Sequence, residues 1–427
     1  MLIEYPLASA PHSTATTRPI WDGAEASLHA PLAQSTSCEV CVIGAGVAGL
    51  CTAYELARTG RDVLALDAGL LANTQTAKST AHLVTALDER YFLLEKDHGK
   101  EQAAAIAAAH MGAIAWLEAT VKREEIECGF GYVEGVLVVS NTRPSDADKL
   151  LEREEAASRR CGVAVRRERV SGGVAAAFPS GSLRFAGQAQ LQPRQFLEGL
   201  GLALERRGGR LCCDTYVTEV NDQGNGFELI AGNGLKITAK QVVFATHGMP
   251  HAVRGSTRPV RPTISFCVSF EVTSEPSFDR HVLLWDGYWD DDSPYHFVRF
   301  VEGELVGKPG ELFLVVGGED EEAAAPTIDA SKAYDAIETW TRAHFPFVGA
   351  RAQAWWGRIF EPKGEFALIG NVPDLEGAYL ISGDSGNGFT YAGIAAQRIA
   401  ALTAGLAVPQ MDDTLFDPRL KSRRFTK

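Results

Sequence analysis

Gly44, Gly46 and Gly49 stand in the order G-x-G-x-x-G within CEVCVIGAGVAGL, directly after a β-branched apolar run and at the mouth of a helical stretch. That context gives the spacing its chemistry. The first glycine permits a tight turn, the second lets a pyrophosphate approach the backbone, and the third allows close packing of helix on strand. The N–H groups of the first helical turn, with Val47 and Ala48, face the anion. Asp67 closes the next apolar strand, DVLALDAG, 23 residues after Gly44, where a carboxylate accepts hydrogen bonds from ribose hydroxyls. These residues predict a bound dinucleotide, FAD or NAD; a glycine-rich turn without a ligand is the bland alternative.

A second group lies near the C-terminus. AYLISGDSGNGFTYAG puts Gly383, Asp384, Gly386, Asn387, Gly388, Phe389 and Thr390 between an apolar strand and a helix, and QVVFATHG puts Thr246 and Gly248 after another such strand. A helix N-terminus carries partial positive charge and would stabilise the pyrimidine end of a reduced flavin. A ligand-free strand-to-helix turn would have the same sequence. No second G-x-G-x-x-G fingerprint occurs in residues 70–427, so one nucleotide is expected.

These groups need a scaffold. The first strand, helix and second strand form a βαβ unit of about 30 residues. Residues 95–127 are Ala-rich with apolar residues at helical spacing. YVEGVLVVS, ISFCVSFEV, YHFVRFVEG and ELFLVVGG read as antiparallel strands. The fold class predicted is α/β: a discontinuous Rossmann-like nucleotide domain with an interposed antiparallel-sheet substrate domain. The ranges expected are a surface arm over 1–37, the nucleotide domain over 38–85, 150–250 and 353–410, the substrate domain over 86–149 and 251–352, and a tail over 411–427.

Composition excludes other classes. The 427 residues are too many for one core, which stops growing near about 250–300 residues, and 45% hydrophobic with 22% charged residues suits a globular chain. A net charge of −13 and the lack of a basic stripe argue against nucleic acid. No uninterrupted apolar run reaches the roughly 18 residues of a membrane span, and MLIEYPLASAPHS lacks the pattern of an export signal. Eight scattered cysteines suit a reducing compartment, so a cytoplasmic location without membrane association is expected.

Together CVIGAGVAG with Asp67, AKSTAHL, GQAQLQPRQFLEGLGLALERRGG, DTYVTEV, VVFATHG and ISGDSGNGFT resemble the D-amino-acid-oxidase-like superfamily of FAD-dependent amine and amino-acid oxidoreductases, over roughly residues 38–410. The resemblance implies FAD, with Ser79 and Thr80 along the flavin, Val217 at the adenine and Gly386 to Thr390 over the flavin O2. It implies oxidation of the C–N bond of a small amine or amino acid by hydride transfer to flavin N5, the imine then being hydrolysed, with dioxygen or another acceptor taking the electrons. WDDDSPYHFVRF and LVVGGEDEE are similar to a subgroup often fused to a Rieske domain; no Cys and His ligand set for such a cluster follows here, so no iron–sulfur path is expected within this sequence. A flavoprotein subunit acting with a partner remains an alternative. So does a flavin monooxygenase, whose late GD motif Gly383 and Asp384 echo but whose middle DG motif is missing. The CxxC of Cys38 and Cys41 lies inside the first strand, a packing position, which disfavours thiol–disulfide chemistry.

For chemistry, Arg299 is the candidate handle for a substrate's charged end, with Tyr295 beside it; a surface ion pair is the bland reading of that arginine. By resemblance WWGRIFEPKGEFALIG passes near the flavin face, bringing Trp356, Arg358, Glu361 and Lys363. Lys363 would polarise flavin or dioxygen. His82 lies close to where dimethylglycine-type dehydrogenases bond a histidine to the flavin. His247 and His251 are broken from a shared helical face by Gly248 and Pro250, and Asp290, Asp291 and Asp292 read as a solvated loop. No metal is expected.

Overall fold

The computed structural model describes residues 2–4, 12–13, 18–22, 29–139, 147–168, 181–248, 260–276, 279–286, 295–322, 327–362, 366–407 and 415–418. Two large sheets organise them. In the first, the strand Thr36–Ile43 lies between Lys236–Phe244 and Val63–Leu66, parallel to both, and Arg210–Cys212 continues beyond Val63–Leu66. Buried on both faces, Val63–Leu66 reads VLAL without polar alternation, as a covered parallel strand should. Ala378–Ser382 adds in parallel to Lys236–Phe244, whereas Val217–Asp222 and Phe227–Ala231 reach it as an antiparallel meander.

The second sheet runs Val348–Pro362, Val260–Val272, Leu312–Glu322, His296–Glu302, Val282–Asp286, Gly131–Val138, Ser182–Gln190 and His82–Leu83, with Val165–Glu168 also on Ser182–Gln190. It is antiparallel except where Val282–Asp286 meets Gly131–Val138. Val165–Glu168, Ser182–Gln190 and the 353–362 part of Val348–Pro362 pair into this sheet, within the ranges 150–250 and 353–410 expected for the nucleotide domain. Their residues fit either sheet, and only the pairing partners decide.

The helix Lys100–Glu124 was expected with the substrate domain. It instead packs beside the late helix Gly388–Thr403, His110 meeting Tyr391 edge-on at 5.1 Å, and Glu124 accepts from Tyr54 of the fingerprint helix Val47–Arg58. It is long and apolar enough to cross a membrane by composition, but Ile106, Ala113, Ile114 and Leu117 belong to the main buried cluster. The N-terminal arm is not wholly superficial either. Trp21 is 1% exposed within an apolar cluster holding Val315 and Trp355, and Leu2–Glu4 adds to the edge of the first sheet beside Val217–Asp222. In the tail, Phe416 is buried and its carbonyl accepts from Ile369 N–H.

Candidate active site

One cavity of about 520 Å3 is walled by both sheets, within the range of ligand pockets. Its first wall is the fingerprint. Gly44 has φ +101°, and a Cβ there would overlap the carbonyl oxygen of Ala245, so the ends of two parallel strands meet only because residue 44 is glycine. Gly46 is different. An added Cβ would approach only Thr76 Oγ1, at 3.3 Å, and otherwise enter the cavity. Gly49 does not line it; a Cβ there would strike Gly44 O, so its role is close helix-to-strand packing.

Val47 and Ala48 line the cavity, but the Val47 N–H is not free: it donates to Thr76 Oγ1 over 2.9 Å. Thr76 was not singled out from sequence. Asp67 is fixed by two backbone donors, Ala45 N–H at 2.7 Å and Gly69 N–H at 3.0 Å. Burial raises its pKa, and those two hydrogen bonds oppose the shift. Val217, 3% exposed, lines the same end.

The segment from Lys78 to His82 forms the next wall, and three successive carbonyls along it are each held by a buried side chain. Lys78 O accepts from Trp355 Nε1 at 2.8 Å, Ser79 O from Trp21 Nε1 at 2.9 Å, and Thr80 O from Arg299 Nη1. Ser79 Oγ accepts from Ala81 N–H. His82 lies half-buried against Trp285 and Phe297, its Nε2 lacks a partner among the described residues, and desolvation together with Arg299 holds its pKa well below the usual imidazole range. The ring is neutral at physiological pH. Lys78 likewise has a lowered pKa, from burial and from Arg358.

Gly383, Asp384, Gly386, Asn387, Gly388 and Phe389 line the cavity at the start of the late helix, and Asn387 Nδ2 donates to Asp88 over 3.2 Å. Thr390 does not reach it; its Oγ1 accepts from Val84 N–H. Thr246 lines the cavity, whereas Gly248 lies against Phe360, which an added Cβ would meet at 2.9 Å.

The second sheet closes the opposite side with Ser265, Cys267, Trp285, Tyr295, Phe297 and Asp320. Tyr295 thus lines the cavity. Arg299 does not: 1% exposed, it donates to the carbonyls of Thr80 and Leu191 behind the wall. It is neither a surface ion pair nor a direct contact of the cavity, and burial lowers its pKa to about 9, leaving it charged. Trp356 also turns away, into the apolar cluster of Phe266 and Val268, with Lys78 Nζ 4.9 Å from its ring. Its neighbours Gly357 and Arg358 take the cavity face. Glu361 pairs with Arg261 at 2.7 Å. His247 Nε2 donates to Arg358 O at 2.7 Å, and no group of three His, Cys, Asp or Glu suited to a metal occurs among the described residues. Lys363, His251, Pro250 and Asp290 to Asp292 lie outside the described residues. Cys38 and Cys41 are buried in the first strand.

The residues present fit a dinucleotide with a flavin end: Gly46 leaves backbone open to the cavity, Asp67 is anchored on its wall, and the late glycine turn borders the same space.

Residues 39–402 match the family described as FAD dependent oxidoreductase, DAO. A Bacillus subtilis protein, YhfW, whose name describes a Rieske 2Fe-2S iron–sulfur protein, is 26% identical over 219 residues, 51% of this chain and 41% of its own length. Gamma-glutamylputrescine oxidoreductase of Escherichia coli is 26% identical over 234 residues, 52% of each chain. The chain thus spans about half the length of the curated relatives it matches. Glycine oxidase from Geobacillus kaustophilus superposes with a TM-score of 0.72 at 15% identity, over 91% of this chain and 100% of that one, which shows a shared fold.

Proposed function

The chain belongs to the DAO family of FAD-dependent oxidoreductases, and from that premise we propose that it oxidises the C–N bond of a small amine or amino acid. One observation carries this reading: the glycine turns of the first sheet and the aromatic face of the second border a single cavity, so cofactor and substrate would share one enclosed space. The E. coli relative's name, an oxidoreductase of an amine-bearing compound, supports the substrate class.

FAD, when bound, supplies the acceptor for hydride at its N5 and passes the electrons to dioxygen or another acceptor. The chain's own residues do the rest. Gly44 and Gly46 would admit the pyrophosphate, Asp67 the ribose and Val217 the adenine, with Ser79, Thr80 and the late turn along the flavin end. Trp285, Tyr295 and Phe297 keep water from the reacting carbon and align its C–H bond, which is most of what oxidation of a neutral amine requires. His82, neutral, would hold or release no proton near pH 7. None of the eight cysteines forms a disulfide, which supports a cytoplasmic location.

Partner dependence would call for an extended apolar patch; among the described residues the exposed large hydrophobics Met111, Tyr132, Leu202 and Leu406 sit on different elements. The proposal is tested by incubating flavin-loaded protein with amines and amino acids and trapping the carbonyl product with a hydrazine. A trapped aldehyde, ketone or oxo acid supports it, and a hydroxylated product with the amine intact contradicts it.

A further inference from the structure

Asp320 lies inside LVVGGEDEE, on the strand Leu312–Glu322. It borders the cavity beside Ser265 and Cys267, and its Oδ1 is out of contact with solvent and without a partner among the described residues. The acids around it are otherwise engaged. Glu319 pairs with His296 at 3.1 Å, Glu361 with Arg261 at 2.7 Å, and Asp88 accepts from Asn387. Arg358 and Lys78 also line the cavity, and neither makes an ion pair with Asp320 among the described residues.

A buried carboxylate without a cation is costly, and the cost is recovered when a ligand brings the missing charge. The rest of the wall fits such a ligand. Trp285, Tyr295 and Phe297 present aromatic rings to the same cavity, and ring faces attract ammonium groups in a desolvated site. Tyr295 immediately precedes the strand His296–Glu302, which pairs with Asp320's own strand, so ring and carboxylate lie on neighbouring chains of one sheet.

We propose that Asp320 is the anchor for the substrate's amino group, meeting it as the ammonium ion and taking its proton before the neutral amine is oxidised, so that the cavity selects ammonium-bearing molecules. This rests on the reading of the cavity as the amine site. The arginine of this sheet is buried behind the wall, while the Asp320 carboxylate lines the cavity. Specificity at this wall is thus for a cation.

The anchor is itself titratable. Burial raises its pKa to about 7, the Ser265 hydroxyl opposes that shift, and Glu361, Asp88 and Glu319 add to it; Cys267 also lies beside it. Cation binding therefore strengthens as pH rises through about 7, because the ionised form is the one that binds.

The test uses FAD-loaded protein and two ions of opposite charge on the same tert-butyl group, tert-butylammonium and pivalate. Neither has a hydrogen on the carbon next to its charged group, so neither is dehydrogenated, and binding is read as a shift in flavin absorbance. Wild type is expected to bind tert-butylammonium more tightly than pivalate, with affinity rising from pH 6 to 8. Asp320→Asn should weaken the cation by about tenfold or more, since hydrogen bonds to charged groups are the strong ones, and flatten the pH profile while flavin content holds. Ser265→Ala keeps the carboxylate and should move the midpoint upward, which serves if Asp320→Asn fails to fold. Preference for pivalate, no response to either ion, or an unmoved profile in Ser265→Ala and unchanged affinity in Asp320→Asn overturns the anchor. Flavin that amines reduce in wild type and Asp320→Asn alike overturns it too, leaving amine oxidation standing; protein that takes up no FAD fails the functional reading instead.

Discussion

The indole N–H of Trp21 donates to the carbonyl of Ser79 across 2.9 Å, joining the N-terminal arm to the wall of the cavity. Trp355 and Arg299 hold the carbonyls on either side, so three buried donors fix the path of three successive residues. A backbone so held presents the side chains and remaining N–H groups of this segment in one arrangement, which is how a binding wall is preorganised.

Trp21→Phe keeps the ring and removes the donor. It should cost about 1 kcal/mol, the typical net worth of one hydrogen bond, and weaken flavin retention several-fold. Dialysis against flavin-free buffer measures this, and retention equal to wild type would show that the wall does not need the arm.

Arg299→Ala should leave two buried carbonyls unpaired, at about 1–3 kcal/mol each, so melting temperature and flavin content both fall. Substrate affinity of the flavin-bound fraction should stay near wild type. A raised binding constant for a carboxylate-bearing amine with normal flavin content would return Arg299 to direct substrate contact.

Gly46→Val and Gly44→Val should separate binding from folding. At Gly46 the protein offers only Thr76 as an obstacle, so the variant should fold and purify colourless, its side chain standing where the pyrophosphate would lie. At Gly44 the added carbon overlaps Ala245 and φ is +101°, so the variant should lose stability outright. Circular dichroism and flavin absorbance together distinguish the two; yellow Gly46→Val protein would contradict the assignment.

Asp320 also sets a pH dependence of stability. Its pKa rises from about 3.9 in an unfolded chain to about 7 when folded, so its protonated form favours the fold at low pH and that advantage is lost as pH climbs from about 4 through 7. Asp320→Asn should therefore melt higher than wild type at pH 8 and equal to it near pH 4. Thermal scans check the sign, and a variant less stable at pH 8 would show an unrecognised cation partner.

What was legible in the sequence is local. Gly44, Gly46, Gly49 and Asp67 act through one βαβ unit whose spacing is printed in the chain, and the late turn around Gly386 is equally contiguous. The second wall is not, because Trp285, Tyr295 and Asp320 come together only through strand register across one sheet. Arg299 was noticed on its strand, but the choice between facing the cavity and facing Thr80 depends on a partner 219 residues away. Trp21 stood alone in an apparently featureless arm, and nothing near it in sequence foretells a carbonyl at Ser79. The sheet joined by residues 165–168, 182–190 and 353–362 is hidden for the same reason, since a strand's own residues do not state which sheet it will join.

If an amine held against the second sheet gives its hydride to bound FAD, the flavin itself reports it. Anaerobic addition of primary and secondary amines and amino acids to the purified flavoprotein is followed by flavin absorbance. One FAD per chain and bleaching by at least one amine are expected, with colour returning when dioxygen or another acceptor is supplied. FMN or two nucleotides per chain, or a flavin that no amine bleaches while NAD(P)H does, would contradict this.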